Sequence, residues 1–88
     1  MKDEGFEYLL SILPPGPDKS CALHLFPRAL DFVRERDSEF GTAQMQKHLK
    51  NRIRHDGEDF RRTRCFMRYR GSRRKADKIQ KTCLQRFN

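Results

Sequence analysis

Cysteine is scarce in this chain of 88 residues. Cys21, Cys65 and Cys83 are odd in number and widely spaced, so no disulfide framework follows. They read as reduced thiols filling apolar space in an intracellular protein. Long apolar runs are missing as well. No stretch approaches the roughly 18 residues that a membrane span needs. The N-terminal MKDEGFEYLL carries acids where a signal peptide has its basic region. The expectation is a protein of the cytoplasm, the nucleus or both, with no membrane partner. Apolar residues make up only 35% of the sequence and mean hydropathy is −0.98, so the core must be modest. A chain of this length buries roughly 60–65% of its unfolded surface. A homodimer, or folding on a partner, would add to that.

Site motifs are equally thin. Cys21-x-x-His24 has a ligand-like spacing, but zinc needs two further ligands. Cys65, Cys83, His48 and His55 offer none in paired spacing, so no metal or other cofactor is expected. His55-Asp56-Gly57-Glu58-Asp59 sets an imidazole and three carboxylates beside a basic tract, as a nuclease would. A turn, a helix cap and dipole-matching first-turn acids account for the same residues. No nucleophile motif accompanies them, and the chain reads as a non-enzyme.

Positive charge is what the sequence has in abundance, and it is unevenly placed. Residues 1–40 hold five Lys/Arg against eight Asp/Glu; residues 41–88 hold fifteen against four, a net +11. The densest part is Phe60 to Lys81. It contains Arg61, Arg62, Arg64, Arg68, Arg70, Arg73, Arg74, Lys75, Lys78 and Lys81, with Asp77 the lone acid. Phe60, Phe66 and Tyr69 are interleaved with them. Cations among flat rings suit a polyanion that also offers π-faces, which describes nucleic acid, RNA or DNA. The planar fork of arginine binds phosphate in bidentate fashion and stacks on bases. Tyr69 and Phe66 are the rings that could stack on unpaired bases, Phe66 being the one that also suits the core, and Lys47, Lys50, Arg52 and Arg54 form a second cationic row. No base-reading code is visible, so recognition would be by charge or shape. The run RYRGSRRKADK would also serve nuclear import.

Read in order, the chain predicts a mainly α, single small domain of four to five short helices. Residues 1–13 form an N-terminal helix, with Phe6, Leu9, Leu10 and Leu13 on one stripe. Residues 14–20 are a Pro-rich connector. Residues 21–88 are the basic helical domain. Within it, CALHLF is a short helical turn or a strand. Pro27 opens a helix to about Ser38. Thr42 caps a helix over about 43–55, and Asp56-Gly57 makes a turn. Residues 60–70 form a helix or a short strand; Gly71 then stops the chain and Ser72 caps a last helix from Arg73 to about Arg86. Two helices around Asp56-Gly57 would have the lengths of a helix-turn-helix.

The stretch Gln46 to Cys65, QKHLKNRIRHDGEDFRRTRC, followed by a Tyr/Arg-rich segment, resembles the central part of the small pre-coat proteins of plant geminiviruses. Phe60, Arg61, Arg62 and Cys65 are its best-matching points. The similarity covers about residues 46–70; the PPGP connector and the basic end depart from it. The resemblance implies a viral suppressor of host RNA silencing, acting on RNA or on a host protein, that helps move viral nucleic acid. The contrasting reading is a protein-interaction module. Its basic half would dock an acidic partner or inhibit a host factor, with Leu9, Leu10 and Leu13 as an anchor for a hydrophobic groove.

Overall fold

The computed structural model describes residues 4–13, 19–36, 40–63 and 72–87. Among them are five helices and no strand: α1 (Glu4–Ile12), α2 (Lys19–Leu25), α3 (Pro27–Glu35), α4 (Ala43–Thr63) and α5 (Arg73–Gln85). The mainly helical fold expected from the sequence is therefore the one observed. The Cα radius of gyration is 12.1 Å, against about 12 Å for a packed globule of this length.

Each helix gives its apolar stripe to one shared core. In α1, Phe6, Leu9 and Ile12 are buried, Leu13 just beyond it is buried as well, and Leu10 is half-buried. The leucines proposed as an anchor for a partner's groove thus face inward. CALHLF resolves as helix: Ala22 and Leu25 of α2 are core, and the Phe26 N–H bonds the Ala22 carbonyl at 2.9 Å. Pro27 then stands at the first position of α3, where a missing N–H costs nothing. Ala29, Leu30, Phe32 and Val33 line the buried face of α3. On α4, Leu49, Ile53 and Phe60 continue the core; on α5, Ala76 and Cys83 close it. Burial pushes the Cys83 thiol up to about 12, which makes it an inert filler.

Local capping chemistry is where the sequence places it. Thr42 Oγ1 accepts from the Met45 N–H at 3.1 Å, opening α4. Ser72 Oγ accepts from the Lys75 N–H at 3.0 Å, opening α5.

The turn at Asp56-Gly57 does not form. Helix α4 runs unbroken from Ala43 to Thr63, so the helix-turn-helix arrangement and a helix ending near His55 are both incorrect. Tertiary contacts override the local signal at both residues. At 100° per residue, Asp56 falls about 20° beyond the arc of Leu49, Ile53 and Phe60, and it is buried with them. Its Oδ2 accepts from the Ala29 N–H at 2.9 Å. A carboxylate of α4 thereby caps α3, whose own N-cap residue, Phe26, has no side chain able to do so. Gly57 packs against α5. A Cβ there would overlap the Gln80 side chain. Gln80 lies over the helix backbone, its Nε2 donating to the Ile53 and Arg54 carbonyls at 3.2 Å each. The void left around Gly57, Phe60, Ala76 and Gln80 is only about 10 Å³. Residues 60–63 are helical; the helix-or-strand question for 64–70, and the stop at Gly71, lie outside the described residues.

Alanine normally stabilises a helix interior relative to glycine by up to about 1 kcal/mol. Gly57→Ala should do the reverse. Displacing Gln80 from its hydrogen bonds should destabilise the protein by about 1–2 kcal/mol in urea unfolding. In a Gln80→Ala background the same substitution should become neutral or stabilising. An unchanged sign in the two backgrounds would contradict the contact.

Candidate nucleic-acid interface

Some of the cations bond across from one helix to another; others are set by helical spacing along the outer side of the same helices. Arg61 belongs to the first group. Its Nη1 donates to Asp77 Oδ1 and to Gln80 Oε1, both at 2.8 Å. Arg73 belongs there too, its Nη2 donating to the Arg61 carbonyl at 2.6 Å near the C-terminal end of α4. Together with Gln80 they fasten α4 to α5 as an antiparallel pair: Arg61 meets Asp77, Arg54 meets Gln80, and Lys50 shares a cleft with Phe87.

Two rows of cations remain along this pair. On α4, Lys47, Lys50 and Arg54 fall within roughly 60° of one another, and Arg61 shares their side. Lys47 and Arg54 are exposed and Lys50 is half-buried. Arg54 also bonds Asn51 Oδ1 at 3.4 Å. On α5, Arg74, Lys78 and Lys81 are exposed and again share roughly 60°. The Arg61–Asp77 ion pair bridges the two helices on the solvent side. The α4 row lies on Arg61's side and the α5 row begins one step round from Asp77, so both rows open in the same direction. Arg62 and Lys75 are exposed, on the flanks of this face.

Arg52 is turned away. It lies roughly 140–160° round α4 from its expected companions. Its guanidinium sits 5.6 Å from the Phe32 ring centroid, beside Arg36 at 4.9 Å from the same ring. Arg64, Arg68, Tyr69 and Arg70, and with them Cys65, Phe66 and Met67, lie outside the described residues.

The imidazole–carboxylate cluster does not converge on one point. Asp56 points inward to α3. Asp59 pairs with Arg28 at 3.0 Å, and Glu58 Oε2 lies 3.9 Å from His55 Nδ1. Among the described residues no group of three or more His, Cys, Asp or Glu is placed to hold a metal ion. No described helix is long and apolar enough to cross a membrane.

Two residues that matter at this face were not singled out by the sequence. Gln80 has a visible signal: with Ala76 and Cys83 it falls at i, i+4 and i+7, a polar residue on the inward stripe. Phe87 reads in sequence only as an extension of that stripe. In the structure it is half-buried and lines an open cleft with Ala43, Gln46, Lys47 and Lys50.

No family model, curated protein or solved structure matches this chain.

Asp56 gives the fold beneath this face a pH dependence. Burial pushes its carboxyl up from 3.8 to about 6, against the opposing hydrogen bonds from the Ala29 and Arg28 backbone and the nearby Arg28 charge. The folded chain therefore holds this proton to higher pH than the unfolded chain does. Stability should fall as pH rises from about 4 to about 6 and level off above that. Asp56→Asn keeps an acceptor for the Ala29 N–H and should flatten that part of the profile in denaturant titrations. A profile identical to the parent's would contradict this assignment.

Proposed function

We propose that this chain is a small, non-catalytic nucleic-acid-binding protein that contacts phosphates through the paired cationic rows of α4 and α5. The observation that carries this reading is the alignment of Lys47, Lys50 and Arg54 with Arg74, Lys78 and Lys81 on one side of a rigid helix pair. Six cations presented on fixed helices lose little conformational freedom on binding, beyond that of their own side chains. Of the nearby acids, Asp77 is paired with Arg61 and Glu58 lies beside His55, and the six cations outnumber both. A polyanion thus meets a surface of predominantly one sign. The contacts are to phosphate, so affinity should depend weakly on sequence and strongly on salt. Arg62, Lys75 and the tract through Arg64, Arg68, Tyr69 and Arg70 extend the same basic surface in sequence. The narrower role implied by the Gln46–Cys65 resemblance is suppression of RNA silencing in the nucleus or cytoplasm, by binding RNA or a host protein. A silencing-reporter assay reads it directly.

Contact with about six phosphates gives a log–log salt slope of about −5 on duplex and about −4 on single strands. Lys78→Gln with Lys81→Gln should weaken binding at least tenfold and make the slope shallower by about 2. Arg34→Gln with Arg36→Gln removes the same charge from the far side and should change affinity less than about twofold. Equal effects of the two pairs would place the interface elsewhere. Salt-independent binding, or capture of an acidic protein that survives nuclease treatment with no nucleic-acid binding, would support the interaction-module reading instead.

A further inference from the structure

The α4–α5 face is not a uniform strip of charge. At one end, where the start of α4 lies beside the end of α5, an open cleft of about 210 Å³ is lined by Ala43, Gln46, Lys47, Lys50 and Phe87. Phe87 is held there by the last turn of the chain, its N–H bonded to the Leu84 carbonyl at 3.1 Å. It packs against the core while remaining partly exposed. Lys47 and Lys50 are three residues apart on α4, and both line the cleft. Gln46, half-buried, brings an amide to the same cleft.

This combination is an aromatic surface, two cations and an amide around one concavity. Its chemistry suits a flat heteroaromatic ring flanked by anionic groups. The cleft is smaller than the roughly 300–1,000 Å³ of sites that enclose a whole drug-sized ligand. It is open to the cationic rows rather than closed around its contents. The fitting occupant is one unit of a longer anionic chain that continues along the cationic rows toward Arg54, Lys81 and Arg74. A base inside a duplex cannot offer its face to Phe87, because both faces are already stacked and only edges and phosphates are presented. An unpaired base can.

We propose that the Phe87 cleft seats an unpaired nucleotide, its base against the Phe87 ring and its flanking phosphates on Lys47 and Lys50, which makes single-stranded nucleic acid the favoured ligand of the α4–α5 face. The proposal rests on the nucleic-acid reading above and narrows it to strandedness. Ribose and deoxyribose strands share this chemistry, and both are needed in the test.

The experiment is fluorescence anisotropy of the full chain with labelled oligo(U), oligo(dT) and a duplex, each about 12 nucleotides long, at matched salt. The single strands should bind at least about fivefold tighter than the duplex. Phe87→Leu keeps an apolar side chain and removes the π-face. It should lower single-strand affinity about tenfold while leaving duplex affinity and the salt slope unchanged. Phe87→Trp should retain or raise single-strand affinity. A fluorescent purine analogue within the strand should be quenched on binding the parent and the Trp variant, but not the Leu variant, a signal that loosened packing alone would not give. If single strands and duplex bind equally, with salt dependence, and Phe87→Leu changes neither affinity nor quenching, the cleft proposal is overturned and the basic face stands. Salt-dependent binding to none of the three would overturn both.

Discussion

Gln80 resting on the backbone of α4 above Gly57 is the contact on which the candidate interface depends. Two helices that meet through apolar side chains alone can slide or rotate with modest loss. Here an amide is bonded to two carbonyls of α4, and it receives the guanidinium of Arg61. Each of these bonds fixes both register and rotation. The missing Cβ of Gly57 allows the close approach, and a glycine within a helix is costly enough, about 1 kcal/mol, to need such a reason. With α4 and α5 locked in this way, cations far apart in sequence become two rows facing one way.

A second long-range polar contact works on the other side of α4. Asp56 supplies the N-terminal cap that α3 lacks, and so ties the α3 layer to the same helix that carries the cationic row. Its other oxygen is buried without a partner, and burial holds its carboxyl at about 6. Desolvation therefore outweighs the favourable end of the α3 dipole. Helix α4 is thus fastened to α3 and α5 by adjacent residues, Asp56 toward α3 and Gly57 toward α5. Changes at either position should disturb the basic face without touching a cation.

These two residues also mark what sequence reasoning could and could not read. Thr42, Pro27 and Ser72 act on atoms within three residues of themselves, and their roles as helix openers were legible. So was the inward stripe of α1, because a helical period needs no knowledge of the partner. Asp56-Gly57 carries a strong local turn signal, yet both residues answer to groups far away in the chain. Ala29 is 27 residues before Asp56, and Gln80 is 23 residues after Gly57. The basic tract was legible as charge but not as geometry. Seen as sequence, Arg61 and Arg73 are two more cations in a run; in the fold they are fasteners between helices. Arg52 sits two residues from Arg54 and therefore faces a different layer, over Phe32. The ring beside the α4 row, Phe87, stands 40 residues from Lys47 and 37 from Lys50. No spacing rule brings them together; the antiparallel pairing of α4 and α5 does.

The central claim is that one face of the α4–α5 pair is the interface. Amide and side-chain chemical-shift mapping of the labelled full chain, titrated with oligo(U) at low salt, tests it most directly. The largest perturbations should cluster at Lys47, Lys50, Arg54, Arg74, Lys78 and Lys81, extend to Phe87, and leave Arg34, Arg36 and the exposed side of α1 unmoved. Perturbations centred on α3 or α1, or none at saturating strand, would contradict it.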